Sequence, residues 1–94
     1  PLNRAMALIG GKWKMQILCS LYNNGPTRYN QLKKTLDGVS NTVLANALRE
    51  LEGDGLVHRQ EYLEVPVRVE YAITEPCRQL IPILDALGDW SMAL

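Results

Sequence analysis

Residues 40–57, SNTVLANALRELEGDGLV, constrain the fold more strongly than any other part of the chain. Four apolar residues in this stretch recur at i, i+3, i+4 and i+7, which is the spacing of one buried helix face. They are Leu44, Ala47, Leu48 and Leu51. Ser40 is a good N-cap for this helix, and Gly53-Asp54-Gly55 predicts its end near Glu52. The stretch therefore predicts an amphipathic helix that buries one face and presents a polar face on the other side.

Two helices are predicted at the start of the chain. Leu2–Ile9 is compatible with a short helix, which Gly10-Gly11 interrupts. A second helix is predicted over Lys12–Tyr22, because the following Asn23-Asn24-Gly25-Pro26 is a stop signal. This second helix is apolar on two sides, so we expect it to be sandwiched inside the domain or between two subunits.

A third helix precedes the amphipathic one at a short distance. Thr27 is expected to cap this third helix, which is predicted over Arg28–Leu36. Asp37-Gly38-Val39 then forms a tight connection to the helix that Ser40 begins. Two short helices joined by about four residues that include a small residue are typical of the helix-turn-helix.

After residue 55 the apolar residues alternate, which indicates strands. Leu56–Tyr62 and Arg68–Thr74 are predicted as two strands, with Leu63–Val67 as the hairpin tip between them. Pro66 suits a tip because it has no N–H to donate to a strand ladder. A hairpin directly after the helix-turn-helix predicts a winged helix-turn-helix, mainly α with a β-hairpin wing, and residues 1–94 are predicted as one domain.

The chain ends in an apolar helix that we expect to mediate dimerisation. It is predicted from about Glu75 to the end, and Pro82 is expected to kink it or to end a first turn. Its apolar residues fall on a spacing close to a heptad seam. The residues predicted to pack against a partner subunit are Leu80, Leu84, Leu87 and Trp90. Trp13 and Trp90 are interpreted as core or dimer anchors.

The charges are unevenly distributed along the chain. Residues 1–36 contain six Lys or Arg and no acid, which gives +6, whereas residues 37–94 contain four Arg and ten acids, which gives −6. Such a split suggests an anion-binding face opposed by an acidic region, although chance clustering on a solvated surface is the alternative. The neutral total and the pI of about 7.1 are not the strongly basic profile of many nucleic-acid binders.

Several classes of protein are excluded by what the sequence lacks. No apolar run approaches about 18 residues, so no transmembrane helix is predicted, and no signal peptide is recognised at Pro1. Cys19 and Cys77 alone form neither a disulfide framework nor a metal-ligand pattern, which favours a reducing cytoplasm. His58 is the only histidine and has no second ligand nearby in the sequence. We therefore predict no metal, no cofactor and no enzymatic activity.

The polar face of 40–52 has the chemistry of DNA recognition. Asparagine pairs with adenine edges, arginine with guanine or phosphate, and serine or threonine with several bases. The predicted base or phosphate contacts are Asn41, Thr42, Asn46 and Arg49. Ser40 is expected to act mainly as the N-cap, with its backbone N–H near a phosphate. The alternative is an ordinary solvated helix face.

Three further residues are predicted to contact DNA from neighbouring elements. Arg28 and Asn30, at the start of the third helix, are expected to clamp the DNA backbone. Arg68, in the wing, is a predicted phosphate or minor-groove contact. Its alternative is an exposed strand residue paired with Glu61 or Glu70.

Three blocks of the sequence resemble the HxlR-type, MarR-related bacterial transcription regulators. They are IGGKWKMQIL at 9–18, GPTRYNQLKKTLDGVSNTVLANALRELEGDGLVHRQ at 25–60 and VPVRVEYAIT at 65–74, so the resemblance spans nearly the whole chain. It implies a homodimer that binds double-stranded DNA at a pseudo-palindromic operator, with the terminal helices as the dimer interface. Some members of the family respond to oxidants, aldehydes or electrophiles through a cysteine just ahead of the first helix, which implies a small-molecule or electrophile effector.

The two cysteines are candidate redox sensors. Cys77 occupies a position where the family commonly has glycine, and it lies beside Arg78 near a predicted helix start. Both features favour a lowered thiol pKa, which reactivity requires. Cys19 lies in mid-helix next to apolar positions and fits this role less well. The alternative for both is a small buried side chain.

Two functions from different classes are consistent with these features. The preferred one is a DNA-binding regulator in which a signal changes the spacing of the two recognition helices. The alternative is a winged-helix protein–protein interaction module without DNA binding, for which the acidic second half of the chain is the best support.

Overall fold

The computed structural model describes residues 1–94 as six helices and a three-stranded antiparallel sheet. The helices are α1 (Leu2–Ile9), α2 (Lys12–Asn24), α3 (Tyr29–Thr35), α4 (Asn41–Gly53), α5 (Glu75–Arg78) and α6 (Ile81–Met92). The strands are β1 (Thr27–Arg28), β2 (Val57–Tyr62) and β3 (Arg68–Ile73). The order of helix, turn, helix and hairpin confirms the predicted winged helix-turn-helix.

Helix α4 forms where the sequence predicts it. Ser40 caps it, since the Val43 backbone N–H donates to Ser40 Oγ at 3.1 Å. The predicted apolar face is buried, with Leu44 and Leu51 fully inaccessible to solvent. Each such leucine stabilises the fold by about 1.5–3 kcal/mol. The core holds α4 against α2 and β2, so the opposite face of α4 is directed outward.

The wing is a hairpin with a third strand added at its other edge. Strands β2 and β3 pair from Val57↔Ile73 to Tyr62↔Arg68. Strand β1 pairs with the free edge of β3, with Thr27 opposite Tyr71. The predicted N-cap role of Thr27 is therefore wrong, because its backbone is extended in this pair and its hydroxyl donates to the Gly25 carbonyl at 2.8 Å. Helix α3 begins one residue later than predicted, at Tyr29.

The terminal helix is divided in two. Pro76 and Pro82 each lie at the first or second position of a helix, where the missing N–H leaves no intrahelical hydrogen bond unmade. Thr74 caps α5, because its hydroxyl accepts from the Cys77 N–H at 3.3 Å and donates to the Gly55 carbonyl at 2.7 Å. The prediction that Pro82 ends a first turn is confirmed, and the chain resumes as α6.

Helix α2 is buried on one of its two apolar sides only. Ile17, Leu18 and Leu21 lie in the core, and Trp13 packs against it as a core anchor. The other side leaves Met15 at the surface of the single chain. The predicted sandwiching of α2 is thus observed on its core side.

The terminal helices present apolar side chains to solvent. Helix α1 has no buried residue, and on α6 Leu87 and Trp90 are 52% and 61% exposed. Leu80 and Leu84 instead pack partly against the core of their own chain. Trp90 is therefore not a core residue, and its role at a dimer interface stays a prediction. None of the helices combines the length and the apolar character that crossing a membrane requires.

Candidate DNA-binding surface

The outward face of α4 brings the predicted base-reading side chains together. They are Asn41, Thr42, Asn46 and Arg49, and all four are exposed. Arg49 Nη2 donates to Asn46 Oδ1, one helical turn away, so these two side chains form a hydrogen-bonded pair on the surface. The pair leaves the Asn46 amide N–H groups and other guanidinium donors of Arg49 directed to solvent, where a base edge or a phosphate can accept from them.

The beginning of α4 is held in place by two sets of hydrogen bonds. Ser40 caps the helix, as predicted. The Tyr29 hydroxyl lies 3.1 Å from the Asn41 carbonyl oxygen and 3.2 Å from Asn41 Oδ1, which ties the start of α3 to the start of α4. The two N-termini therefore lie side by side, and their backbone N–H groups favour an anion such as a DNA phosphate.

The predicted backbone contacts on α3 are at the surface near this junction. Arg28 is exposed and lies opposite Glu70 in the β1–β3 register. Asn30 is exposed in the first turn of α3 and lines a shallow depression with Lys33 and Lys34. The α3 helix thus contributes three hydrogen-bonding or cationic groups beside the outward face of α4.

Arg68 is engaged inside the wing. Its Nη2 lies 3.3 Å from Glu64 Oε1, its Nε lies 3.7 Å from Glu70 Oε2, and its guanidinium carbon lies 4.1 Å from the centroid of the Tyr62 ring. The side chain is only 28% exposed. Of the two alternative partners that the sequence suggested, Glu70 is observed, whereas Glu61 pairs with Arg59. In the free chain Arg68 therefore fixes the wing, and its contact with DNA stays a prediction.

A residue that the sequence analysis did not select lies beside Arg49. Arg59, on β2, lines a cleft of about 370 Å³ between α4 and the sheet, together with Arg49 and Tyr71. Strand alternation was the available signal. Arg59 is two residues from the buried Val57 and therefore points to the same face of the sheet, towards α4.

The junction of α1 and α2 orients α4 from its other side. Lys14 Nζ lies 2.8 Å from Glu50 Oε2, and the Lys14 side chain is only 14% exposed. This ion pair joins the IGGKW segment of α2 to α4. Packing of the Lys14 stem, which the sequence suggested, is observed together with this charge pairing.

The comparison with known families identifies this arrangement. A family described as HxlR-like helix-turn-helix matches residues 8–94. The chain belongs to this family. It is 42% identical over 92 residues to an HTH-type transcriptional regulator of Halalkalibacterium halodurans, which covers 98% of the chain and 81% of that relative.

Solved structures agree with the assignment to the HxlR-like family. A MarR-family transcriptional regulator from Enterococcus faecalis V583 superposes with a TM-score of 0.90 at 40% identity, covering 98% of this chain and 83% of that one. The redox regulator HypR in its oxidised form superposes with a TM-score of 0.90 at 36% identity, covering 100% and 96% of the two chains. This HxlR-like protein is a DNA-binding transcription regulator and not an enzyme.

The thiols of this HxlR-like regulator are held in the neutral form. Burial raises the pKa of the Cys77 thiol, the neighbouring Cys19 raises it further, and Arg78 opposes both effects without overcoming them. Cys77 is fully inaccessible to solvent. Partial burial raises the pKa of the Cys19 thiol, and the negative charge of Asp85 adds to this shift. The expectation that Arg78 and the helix start activate Cys77 is therefore wrong about the net direction of the shift.

Proposed function

We propose that this HxlR-like regulator acts in the cytoplasm as a homodimer on a pseudo-palindromic operator, as a repressor or an activator. The observation that supports this most strongly is the exposed polar face of α4, which the Ser40 cap and the Tyr29 contact hold in a fixed orientation. Helix α4 enters the major groove, where Asn46 and Arg49 read base edges. A good bidentate contact discriminates against a wrong base by about 1–3 kcal/mol.

The remaining contacts in this proposal position the protein on the DNA backbone. Asn41 and Thr42 lie at the N-terminal end of α4, where they reach bases or phosphates. Arg28, Asn30 and the backbone N–H at Ser40 bind phosphates near the junction of α3 and α4. Because the Arg68 guanidinium is already bound within the wing, we propose for it a smaller contribution than for Arg49.

Dimerisation is proposed through the terminal helices. Leu87 and Trp90 are exposed on α6, and a groove of about 440 Å³ between α2 and α6 is lined by apolar atoms of Met15 and Leu84. A second subunit that covers these side chains gives the assembly two copies of α4. In helix-turn-helix dimers the two half-sites lie about one turn of DNA, 10 bp, apart. An effector that favours one arrangement of the subunits would change that spacing and hence operator affinity.

The proposal is tested by selecting chromosomal DNA fragments with the purified protein at low and at moderate salt. The control is the double variant Asn46→Ala/Arg49→Ala, which keeps the buried face of α4 intact. We expect the wild-type protein to enrich an inverted repeat and the double variant to lose that enrichment, while sedimentation equilibrium reports a dimer for both. Weak non-specific binding that is equal for the two proteins would contradict the proposal and would favour a protein-interaction module.

A further inference from the structure

We propose that the cleft between α4 and the sheet binds one backbone phosphate of the bound DNA, and that Arg59 is the residue that contacts it. This inference rests on the proposed entry of α4 into the major groove. It adds a phosphate site between the recognition helix and the wing, separate from the base-reading face and from the junction of α3 and α4.

The cleft is formed by side chains from three separate elements. Ala45 and Arg49 contribute the α4 wall, Arg59 and Tyr71 the sheet wall, and Tyr29 of α3 closes one end. Arg59 and Tyr71 are direct partners in the β2–β3 register. Since Ala45 and Arg49 also border the outward face of α4, the cleft opens on the side of the helix that is proposed to face DNA.

The path of the DNA backbone places a phosphate at this opening. When a helix occupies the major groove and a hairpin reaches the adjacent minor groove, one sugar–phosphate strand separates the two grooves. That strand has to pass between the helix and the wing. In this fold, the space between α4 and the β2–β3 hairpin is the cleft that contains Arg49 and Arg59.

The charges in the cleft suit a single phosphodiester. Arg49 and Arg59 contribute two positive charges and Glu52 one negative charge, so the cleft carries a net charge of one positive unit. Arg59 makes one ion pair, with Glu61 at 3.7 Å, and its side chain is 40% exposed. Such surface pairs are weak, so exchanging Glu61 for a DNA phosphate costs little. A guanidinium can then donate two parallel hydrogen bonds to the phosphate oxygens.

The test is the salt dependence of DNA binding by Arg59→Ala, measured by fluorescence anisotropy. Two probes are used: the fragment that the wild-type protein enriches and a random-sequence duplex of about three helical turns. A contact to one phosphate predicts that the slope of log K against log salt becomes shallower by about one for both probes. Affinity at low salt should fall by about tenfold or more, because a charge-assisted hydrogen bond is lost.

Two further variants separate a phosphate contact from a general charge effect. Arg78→Ala removes the same charge from an exposed arginine on α5, outside the cleft, and should leave the slope near that of the wild type. Glu52→Gln removes the negative charge from the cleft and should strengthen binding to both probes. Circular dichroism and urea unfolding establish that each variant is folded.

The outcomes distinguish this inference from the function on which it rests. If the wild-type protein binds the enriched fragment and Arg59→Ala keeps both the wild-type slope and the wild-type affinity, the phosphate site is refuted and the regulator proposal stands. If Arg59→Ala and Arg78→Ala lose affinity equally, the effect comes from net charge and the site is also refuted. If the wild-type protein binds neither probe, both proposals fail together.

Discussion

Ser40 provides a test in which the stability of the fold and the affinity for DNA are expected to change in opposite directions. Its hydroxyl accepts the Val43 N–H at 3.1 Å, which satisfies one of the free donors at the start of α4. Ser40→Ala removes this acceptor and should lower the free energy of unfolding by about 1 kcal/mol. For a domain of this size, that loss corresponds to a decrease in Tm of about 4–8 °C.

Ser40→Asp keeps the cap and adds a negative charge at the same position. A carboxylate at an N-cap accepts the same N–H and interacts favourably with the helix dipole, by about 0.3–1 kcal/mol. Stability should therefore equal or exceed that of the wild type. If α4 enters DNA with its N-terminus near a phosphate, the same carboxylate repels that phosphate. At about 5 Å the repulsion is about 0.8–3 kcal/mol for effective dielectric constants between about 80 and 20, or roughly 4- to 160-fold in Kd.

The assay pairs urea unfolding, followed by circular dichroism at one fixed protein concentration, with anisotropy titrations of the enriched fragment. Fixing the concentration matters because dimerisation makes apparent stability depend on it. A variant Ser40→Asp that is at least as stable as the wild type and binds DNA more weakly fits the account. If Ser40→Asp were stable and bound DNA as tightly as the wild type, the N-terminus of α4 would not face the phosphates.

Three further predictions concern the core, the thiols and the terminal helices. Leu44→Ala should lower the free energy of unfolding in urea by about 2–5 kcal/mol, because Leu44 is fully buried, whereas Val43→Ala, at a 42% exposed position, should change it by about 0.5 kcal/mol or less; similar losses would contradict the assigned faces of α4. The raised pKa values of Cys19 and Cys77 mean that the folded state favours the neutral thiols, so their contribution to stability is complete below the unfolded pKa of about 8.5 and is lost as pH rises through the folded values; a Cys19→Ala/Cys77→Ala variant should lose less stability over that alkaline range, and an equal loss would refute the assignment. Leu87→Glu should shift sedimentation velocity profiles towards the monomer without changing the circular dichroism spectrum, since Leu87 is exposed on α6; an unchanged dimer would exclude this face as the interface.

Local signals in the sequence were sufficient for most of the fold. The periodicity of 40–52 and the Ser40 cap predicted α4 within one residue at each end, since the buried face and the capping hydrogen bond are both encoded locally. The alternation after residue 55 likewise predicted the hairpin. By contrast, Thr27 was predicted as a cap, because the free edge of β3 that recruits it into β1 lies more than forty positions later in the chain.

The candidate site was predicted less completely than the fold. Asn46 and Arg49 were found because both lie on one helix face, whereas Arg59 was not, since its proximity to Arg49 depends on how the sheet packs against α4. The environment of Arg68 depends in the same way on the hairpin, which brings Tyr62, Glu64 and Glu70 around it. For Cys77 the sequence gave the neighbouring charge of Arg78 and not the burial that outweighs it.

The central claim is that the outward face of α4 reads bases in the major groove. It is tested most directly by chemical protection of the enriched fragment, with probes that modify guanine N7 in the major groove and adenine N3 in the minor groove. The account predicts two protected major-groove segments whose centres lie about one helical turn, 10 bp, apart, and their disappearance with Asn46→Ala/Arg49→Ala. Protection confined to the minor groove, or major-groove protection that survives the double variant, would contradict it.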